Sequence, residues 1–138
     1  MPVKRVVVVG CGLHYRSSYH EVLKNSNIQI PLIIDLEDKR SIVSRFLSTS
    51  SLQPQKTLFL KEEYRNDISL SELKILTGSF DLSQVDGIIV ATEPKGRMPY
   101  YQWALDNGWD IFMDKPITAF SSLAHSDSLY HNFERLTD

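Results

Sequence analysis

The sequence contains a single cysteine among its 138 residues, and it lacks long apolar runs and dense blocks of one charge. One thiol, Cys11, excludes an internal disulfide and a zinc site built on several thiolates. No segment approaches the ~20 apolar residues that cross a bilayer, and the four valines before Gly10 are too few for a signal-peptide core. The 15 basic and 17 acidic residues form no basic patch, which argues against nucleic-acid and membrane partners. We therefore expect one cytoplasmic globular domain, residues 1–138.

Short apolar segments alternate with amphipathic ones along the chain. Pro31 interrupts the second predicted strand, and because proline cannot donate to a strand ladder, we expect a bulge there. The alternation predicts an α/β fold, a Rossmann-type doubly wound parallel sheet of about five strands in the order 3-2-1-4-5. The predicted strands are residues 3–9, 28–34, 57–60, 87–92 and 110–113, and the predicted helices are one ending near 25, 38–47, one from 70 to about 77, 98–107 and 121–136.

A glycine turn, Gly10-Cys11-Gly12, lies directly between the first buried strand and an amphipathic helix. Such glycines permit a tight turn and let backbone N–H groups approach a pyrophosphate at the helix N-terminus. The turn continues through Leu13 and His14, which join it as candidate cofactor-binding residues. Tyr15 stands where a third glycine would allow close helix packing, so we expect the helix to begin late or lie further from the sheet. A tight turn without a ligand is the alternative interpretation.

Asp35 closes the second strand, 23 residues after Gly12. An acidic residue about 20 residues beyond the glycine turn hydrogen-bonds the adenosine ribose in dinucleotide-binding folds. A carboxylate there repels a 2′-phosphate, which favours NAD and makes NADP the less favoured cofactor, although Lys39 and Arg40 nearby oppose this preference. Capping of the next helix is the alternative role for Asp35. With no partner base evident, Cys11 is expected to be a buried, unreactive thiol.

Two later segments lie at the carboxyl ends of predicted strands, where α/β sheets bind ligands. The fourth strand runs into Thr92-Glu93-Pro94, with Arg97 following, and the fifth runs into Asp114-Lys115-Pro116. The proline fixes the backbone and directs Lys115 to the ligand edge, where a lysine orients a hydroxyl or shares a proton network; a solvated surface lysine is the alternative. His125 and His131 are six residues apart, the wrong spacing for one helix face, so no metal site is expected.

Taken together, these residues resemble the N-terminal domain of the Gfo/Idh/MocA oxidoreductases, from residue 6 to about 120. The shared pattern is Ala91-Thr92, Ala104-Leu105, Gly108, the apolar strand 111–113 and Asp114-Lys115-Pro116. The resemblance implies NAD-dependent hydride transfer on a sugar, polyol or related small alcohol. It also implies that Lys115 is the active-site lysine near the nicotinamide, with Asp114 where glutamate is usual and Arg97 where histidine is frequent.

In that family a second domain supplies the substrate pocket, and this chain ends at Asp138. We therefore expect the cofactor-binding half alone, inactive by itself and able to self-associate as a homo-oligomer through an exposed sheet edge. Two other functions remain open. One is a nicotinamide-binding or interaction module without chemistry, and the other is an S-adenosylmethionine methyltransferase. The missing third glycine, Val8 in place of an acid and the lysine–proline turn argue against the methyltransferase.

Overall fold

The computed structural model describes residues 3–13, 15–92 and 96–113, without the side chain of Met113. Five parallel strands of this described part form one sheet in the order β3-β2-β1-β4-β5. The predicted Rossmann-type, doubly wound sheet is therefore confirmed. The predicted final helix, residues 121–136, lies outside the described residues. The strands are β1 (Lys4–Val9), β2 (Ile28–Leu36), β3 (Pro54–Leu60), β4 (Gly87–Val90) and β5 (Asp110–Met113).

Four α-helices connect the strands in the described part, namely α1 (His20–Lys24), α2 (Arg40–Ser48), α3 (Leu70–Leu76) and α4 (Met98–Asn107). Gly108 closes α4 as predicted, with a φ of 71° in the left-handed region. The predicted start of β3 at residue 57 is wrong, because the strand begins at Pro54. Within the described sheet, β3 is an edge strand that pairs with β2 alone. Exposed polar residues and an initial proline are tolerated in an edge strand, and they obscure its apolar pattern in the sequence. None of the described helices combines the length and apolarity needed to cross a membrane.

The bulge expected at Pro31 is confirmed by the register between β1 and β2. Arg5 pairs with Gln29 and Val8 pairs with Ile33, so β2 carries one more residue than β1 across this interval. The extra residue reverses the alternation of side chains along β2. Ile30 and Ile33 consequently pack in one core cluster, whereas Leu32 and Ile34 pack in the other.

Apolar side chains cover both faces of the sheet. One face packs against residues of α1 and α2, including Leu23, Val43 and Leu47, and the other packs against α3 and α4. β1 serves both faces, because Val6 and Val8 point to one cluster while Val7 and Val9 point to the other. This burial on both faces is the reason that β1 is apolar throughout its buried part.

The first helix starts with a distorted turn. Residues Tyr15–Tyr19 form a π-helical turn before α1, and the Tyr15 side chain is fully buried. The Arg16 N–H donates to the Gly12 carbonyl at 3.0 Å, so helical bonding follows Gly12 directly, whereas the regular α-helix begins only at His20. The expected late start therefore holds for the α-helix and not for the first helical turn. A π-helical turn is wider than an α-helical one, and here it accompanies an aromatic ring where close packing would favour glycine.

Candidate cofactor-binding site

A cleft of about 350 Å³ opens at the carboxyl ends of β1 to β4. It lies beside β1, which connects to β2 on one side, while the chain crosses from β3 to β4 on the other; this reversal of strand order is the topological switch point at which α/β folds bind ligands. Half of the predicted cofactor-binding residues line this one cleft, namely Gly10, Cys11, Gly12, Leu13, Asp35 and Thr92.

The two glycines of the turn have different environments. Gly10 has a φ of 89°, and a Cβ there would lie 2.9 Å from the carbonyl carbon of Ala91, so the fold itself requires glycine. Gly12 is exposed, and a Cβ there would meet no atom of the described residues within 4 Å. Since the protein's own packing leaves space at Gly12, a ligand can approach the backbone closely. This open turn at the start of a helix fits a pyrophosphate.

Asp35 links β2 to the glycine turn. Its Oδ2 accepts a hydrogen bond from the Cys11 N–H at 2.9 Å, and its Oδ1 accepts one from the Leu36 N–H at 2.7 Å. The alternative role as a helix cap is wrong, because Leu36 occupies the cap position of the following turn and no side chain caps it. A carboxylate has about four acceptor positions, so Asp35 retains capacity for the hydroxyl groups of a ribose.

Cys11 is buried beneath the turn, with 1% of its surface exposed. Burial, with a further contribution from the Asp35 carboxylate, raises the pKa of its thiol to about 12. The thiol is therefore protonated at neutral pH, and the thiolate that a nucleophile requires does not form. The expected burial of this cysteine is confirmed.

Three cationic side chains of the described residues line the cleft, and none of them is among the predicted site residues. Lys39 follows β2, and its positive charge opposes the preference for NAD that Asp35 predicts. Arg16 lies one turn beyond the glycines, and its Nε is buried without a hydrogen-bond partner among the described residues. Its guanidinium carbon lies 5.8 Å from the centroid of the Phe46 ring. Arg65 follows β3, and the convergence of strand ends at one sheet edge is the signal that would have identified it.

Arg65 is bound by two carboxylates. Its Nε and Nη2 donate to Glu62 Oε1 and Oε2 at 2.5 and 2.7 Å, and Nη2 also donates to Asp38 Oδ2 at 2.6 Å. The hydrogen bond from Arg65 lowers the pKa of Glu62, and the bond to Glu62 raises the pKa of Arg65. We call these three residues, Asp38, Glu62 and Arg65, the arginine cluster.

Tyr100 forms part of the wall of the cleft and is 5% exposed. Burial, and secondarily the charge of Asp35, raises the pKa of its hydroxyl, which is therefore neutral at physiological pH. Tyr64 lines the same cleft beside Arg65. The aromatic side chains give the cleft apolar surface beside its charged groups, as is usual for sites that hold a heterocyclic ligand.

Arg97 is a candidate residue that does not line the cleft. It is buried, and its Nε donates to the Thr92 carbonyl at 2.8 Å. It therefore supports the loop after β4, whose Thr92 lines the cleft.

The other candidates, His14, Glu93, Pro94, Asp114 and Lys115, lie outside the described residues and remain predictions. Within the described ranges, no group of three or more His, Cys, Asp or Glu side chains is arranged to hold a metal ion.

Comparison with known proteins gives a family and a set of similar folds. Residues 4–137 match the family model of Gfo/Idh/MocA proteins, described as an oxidoreductase family with an NAD-binding Rossmann fold. The structure described as oxidoreductase yvaA from Bacillus subtilis aligns with a TM-score of 0.58 and 17% identity. An oxidoreductase from Agrobacterium radiobacter, solved in complex with NAD⁺, L-tartaric acid and magnesium, aligns with a TM-score of 0.59 and 15% identity. No curated protein matches the sequence.

These two alignments cover 99% of this chain but only 33% and 34% of the chains of the two oxidoreductases. At such low identities they show a shared fold. The chain thus spans about one third of the length of these structures.

Proposed function

Since the chain belongs to the Gfo/Idh/MocA oxidoreductase family through its NAD-binding Rossmann domain, we propose that its cleft binds NAD in preference to NADP. We also propose that the protein oxidises or reduces a sugar, a polyol or a related small alcohol. The single observation that carries the cofactor proposal is Asp35, which lines the same cleft as the open glycine turn and bonds directly to it.

The residues of the cleft fit the parts of a dinucleotide in order. Gly12 leaves the helix start open to the pyrophosphate, and the cationic Arg16 nearby would neutralise part of its charge. Asp35 would accept hydrogen bonds from the adenosine ribose hydroxyls. Cys11 and Leu13 complete the turn, and we assign His14 to it as well.

The nicotinamide end is assigned to the segments that follow β4 and β5. Thr92, held by Arg97, would form one side, together with Glu93 and Pro94. Asp114 and Lys115 would form the other, with Lys115 orienting the substrate hydroxyl or carbonyl and exchanging its proton. When bound, NAD supplies a nicotinamide ring that exchanges a hydride with substrate. The family membership and the NAD⁺-bound Agrobacterium oxidoreductase support this assignment.

Titration calorimetry with NAD and NADP tests the cofactor proposal. We expect the chain to bind NAD at least about tenfold more tightly, because charge-assisted hydrogen bonds to ribose contribute roughly 1.5–3 kcal/mol. Asp35→Asn should narrow the difference to about threefold, since the amide keeps an acceptor for Cys11 but loses the charge that repels a 2′-phosphate.

Glu37→Gln is the matched control. Glu37 lies two residues from Asp35 and does not line the cleft, so its substitution should leave the preference unchanged. Equal affinities for the two cofactors in the unmodified chain, or a preference for NADP, would disprove the role of Asp35.

A further inference from the structure

We infer that the arginine cluster excludes NADP, because Asp38 and Glu62 occupy the guanidinium that would otherwise bind a 2′-phosphate. The inference rests on the proposed function, and it adds the arginine cluster to Asp35 as a second determinant of the preference for NAD over NADP. Asp38 lies three residues after Asp35, and it is bonded to Arg65, which lines the cleft with Asp35 and Leu36. The guanidinium is thus held close to the end of β2, where the 2′ position of a bound adenosine would lie.

Arg65 is fixed at its backbone as well as at its side chain. A Cβ on Gly96 would lie 2.9 Å from the Arg65 carbonyl oxygen, so the backbone at Arg65 packs tightly against Gly96. The side chain is 27% exposed and reaches Asp38 and Glu62 from this fixed position. Arg65 is therefore a guanidinium held in place at the rim of the cleft.

The hydrogen-bonding capacity of Arg65 is directed to the two carboxylates. A guanidinium has five N–H donors and binds phosphate through two parallel bonds. Here Nε and Nη2, the edge suited to such bidentate binding, donate to Glu62, and Nη2 donates to Asp38 as well. Both Nη2 donors are thus engaged, so a 2′-phosphate that forms two parallel bonds to Arg65 would have to displace Asp38 or Glu62. It would also approach the carboxylates of Asp38 and Glu62, whose negative charges add to that of Asp35.

The cluster has a small role in folding. Asp38 and Glu62 are 53% and 66% exposed, and ion pairs this exposed contribute little to stability because water screens them. Removing both carboxylates should therefore leave the fold intact while freeing Arg65. The expected effect of removing them is a change in the preference between NAD and NADP.

The test compares two double variants of the same net charge. Asp38→Ala with Glu62→Gln frees Arg65, whereas Glu37→Ala with Glu63→Gln removes two neighbouring acidic side chains that make no hydrogen bond to Arg65 in the described structure. Calorimetry with NAD and NADP should show NADP affinity about tenfold higher in the first variant than in the control, since freed Arg65 gains charge-assisted bonds to phosphate. NAD affinity should stay within about threefold in both.

Adding Arg65→Ala to the first variant decides whether Arg65 is the residue responsible, and it should cancel the gain in NADP affinity. An equal gain in the Glu37/Glu63 control, or a gain that survives Arg65→Ala, would overturn the inference while leaving NAD binding established. A chain that binds neither cofactor in its unmodified form would overturn the inference and the proposed function together. Melting temperatures of the variants verify that each remains folded.

Discussion

The two glycines of the glycine turn, Gly10 and Gly12, have different surroundings and different expected roles. Gly10 approaches the peptide between Ala91 and Thr92 so closely that any side chain would collide with backbone. Gly12 faces open space. Packing thus requires glycine at position 10, whereas the role proposed for Gly12 is to let a cofactor approach the backbone, and substitution separates the two.

We expect Gly10→Ala to lower the free energy of unfolding by about 2 kcal/mol or more, because a positive φ and a backbone collision both oppose the methyl group. Gly12→Ala should change it by less than about 1 kcal/mol. The Gly12 variant should nevertheless weaken NAD binding about tenfold, since its methyl group takes space proposed for the pyrophosphate. Chemical denaturation and calorimetry measure both effects. Normal NAD affinity in Gly12→Ala would contradict the placement of the pyrophosphate.

At the scale of elements, a buried polar network connects the first helix to the segment after α2. The Tyr15 hydroxyl hydrogen-bonds His20 Nδ1 at 2.9 Å, and His20 Nε2 hydrogen-bonds Ser50 Oγ at 2.6 Å. His20 is 3% exposed, and its ring lies 4.7 Å from the ring of Phe46 in α2. The histidine therefore joins two elements that cover the same face of the sheet.

This connection predicts a loss of stability in mild acid. Burial lowers the pKa of His20 below its ordinary value of 6.5, so the unfolded chain takes up the proton before the folded chain does. Stability contributed by the neutral histidine is present above pH 6.5 and is lost as the pH falls below that value. Melting temperatures measured between about pH 7.5 and 5.5 should fall less steeply for His20→Gln than for the unmodified chain. Parallel slopes would show that His20 does not titrate differently in the fold.

At the scale of the whole molecule, the sheet brings the ends of four strands to one cleft. The chain spans only about a third of the two similar structures, so the proposed reaction is tested on the whole protein. In the presence of NAD, we expect that protein to oxidise at least one member of a panel of sugars and polyols. Lys115→Ala should lower kcat/KM by about a hundredfold, as is typical when a proton-transfer group is removed.

Absorbance of the reduced nicotinamide follows this reaction. A matched control is Lys61→Ala, which removes an exposed lysine that does not line the cleft. Full activity in Lys115→Ala would show that another group handles the proton. If no sugar or polyol is oxidised, the substrate class is wrong while the cofactor proposal stands.

The sequence by itself determined the fold, because periodicity is a local property of the chain. The continuous valines of β1 predict burial on both faces, Pro31 predicts the bulge, and Gly108 predicts the end of α4, and the structure confirms each of these. The start of β3 was missed because an edge strand needs no apolar pattern at its exposed end. The spacing between Gly12 and Asp35 also predicts that both residues belong to one site, and both line the same cleft.

Only the tertiary structure decided which charges share the cleft. Arg65 is separated from Asp38 by 27 residues, and no local pattern joins a residue after β3 to one after β2. The bond from Cys11 to Asp35 and the burial of His20 against Ser50 likewise depend on strands and helices that meet only in the folded chain. Such contacts follow from the packing of distant segments, whose geometry the spacing of residues does not encode.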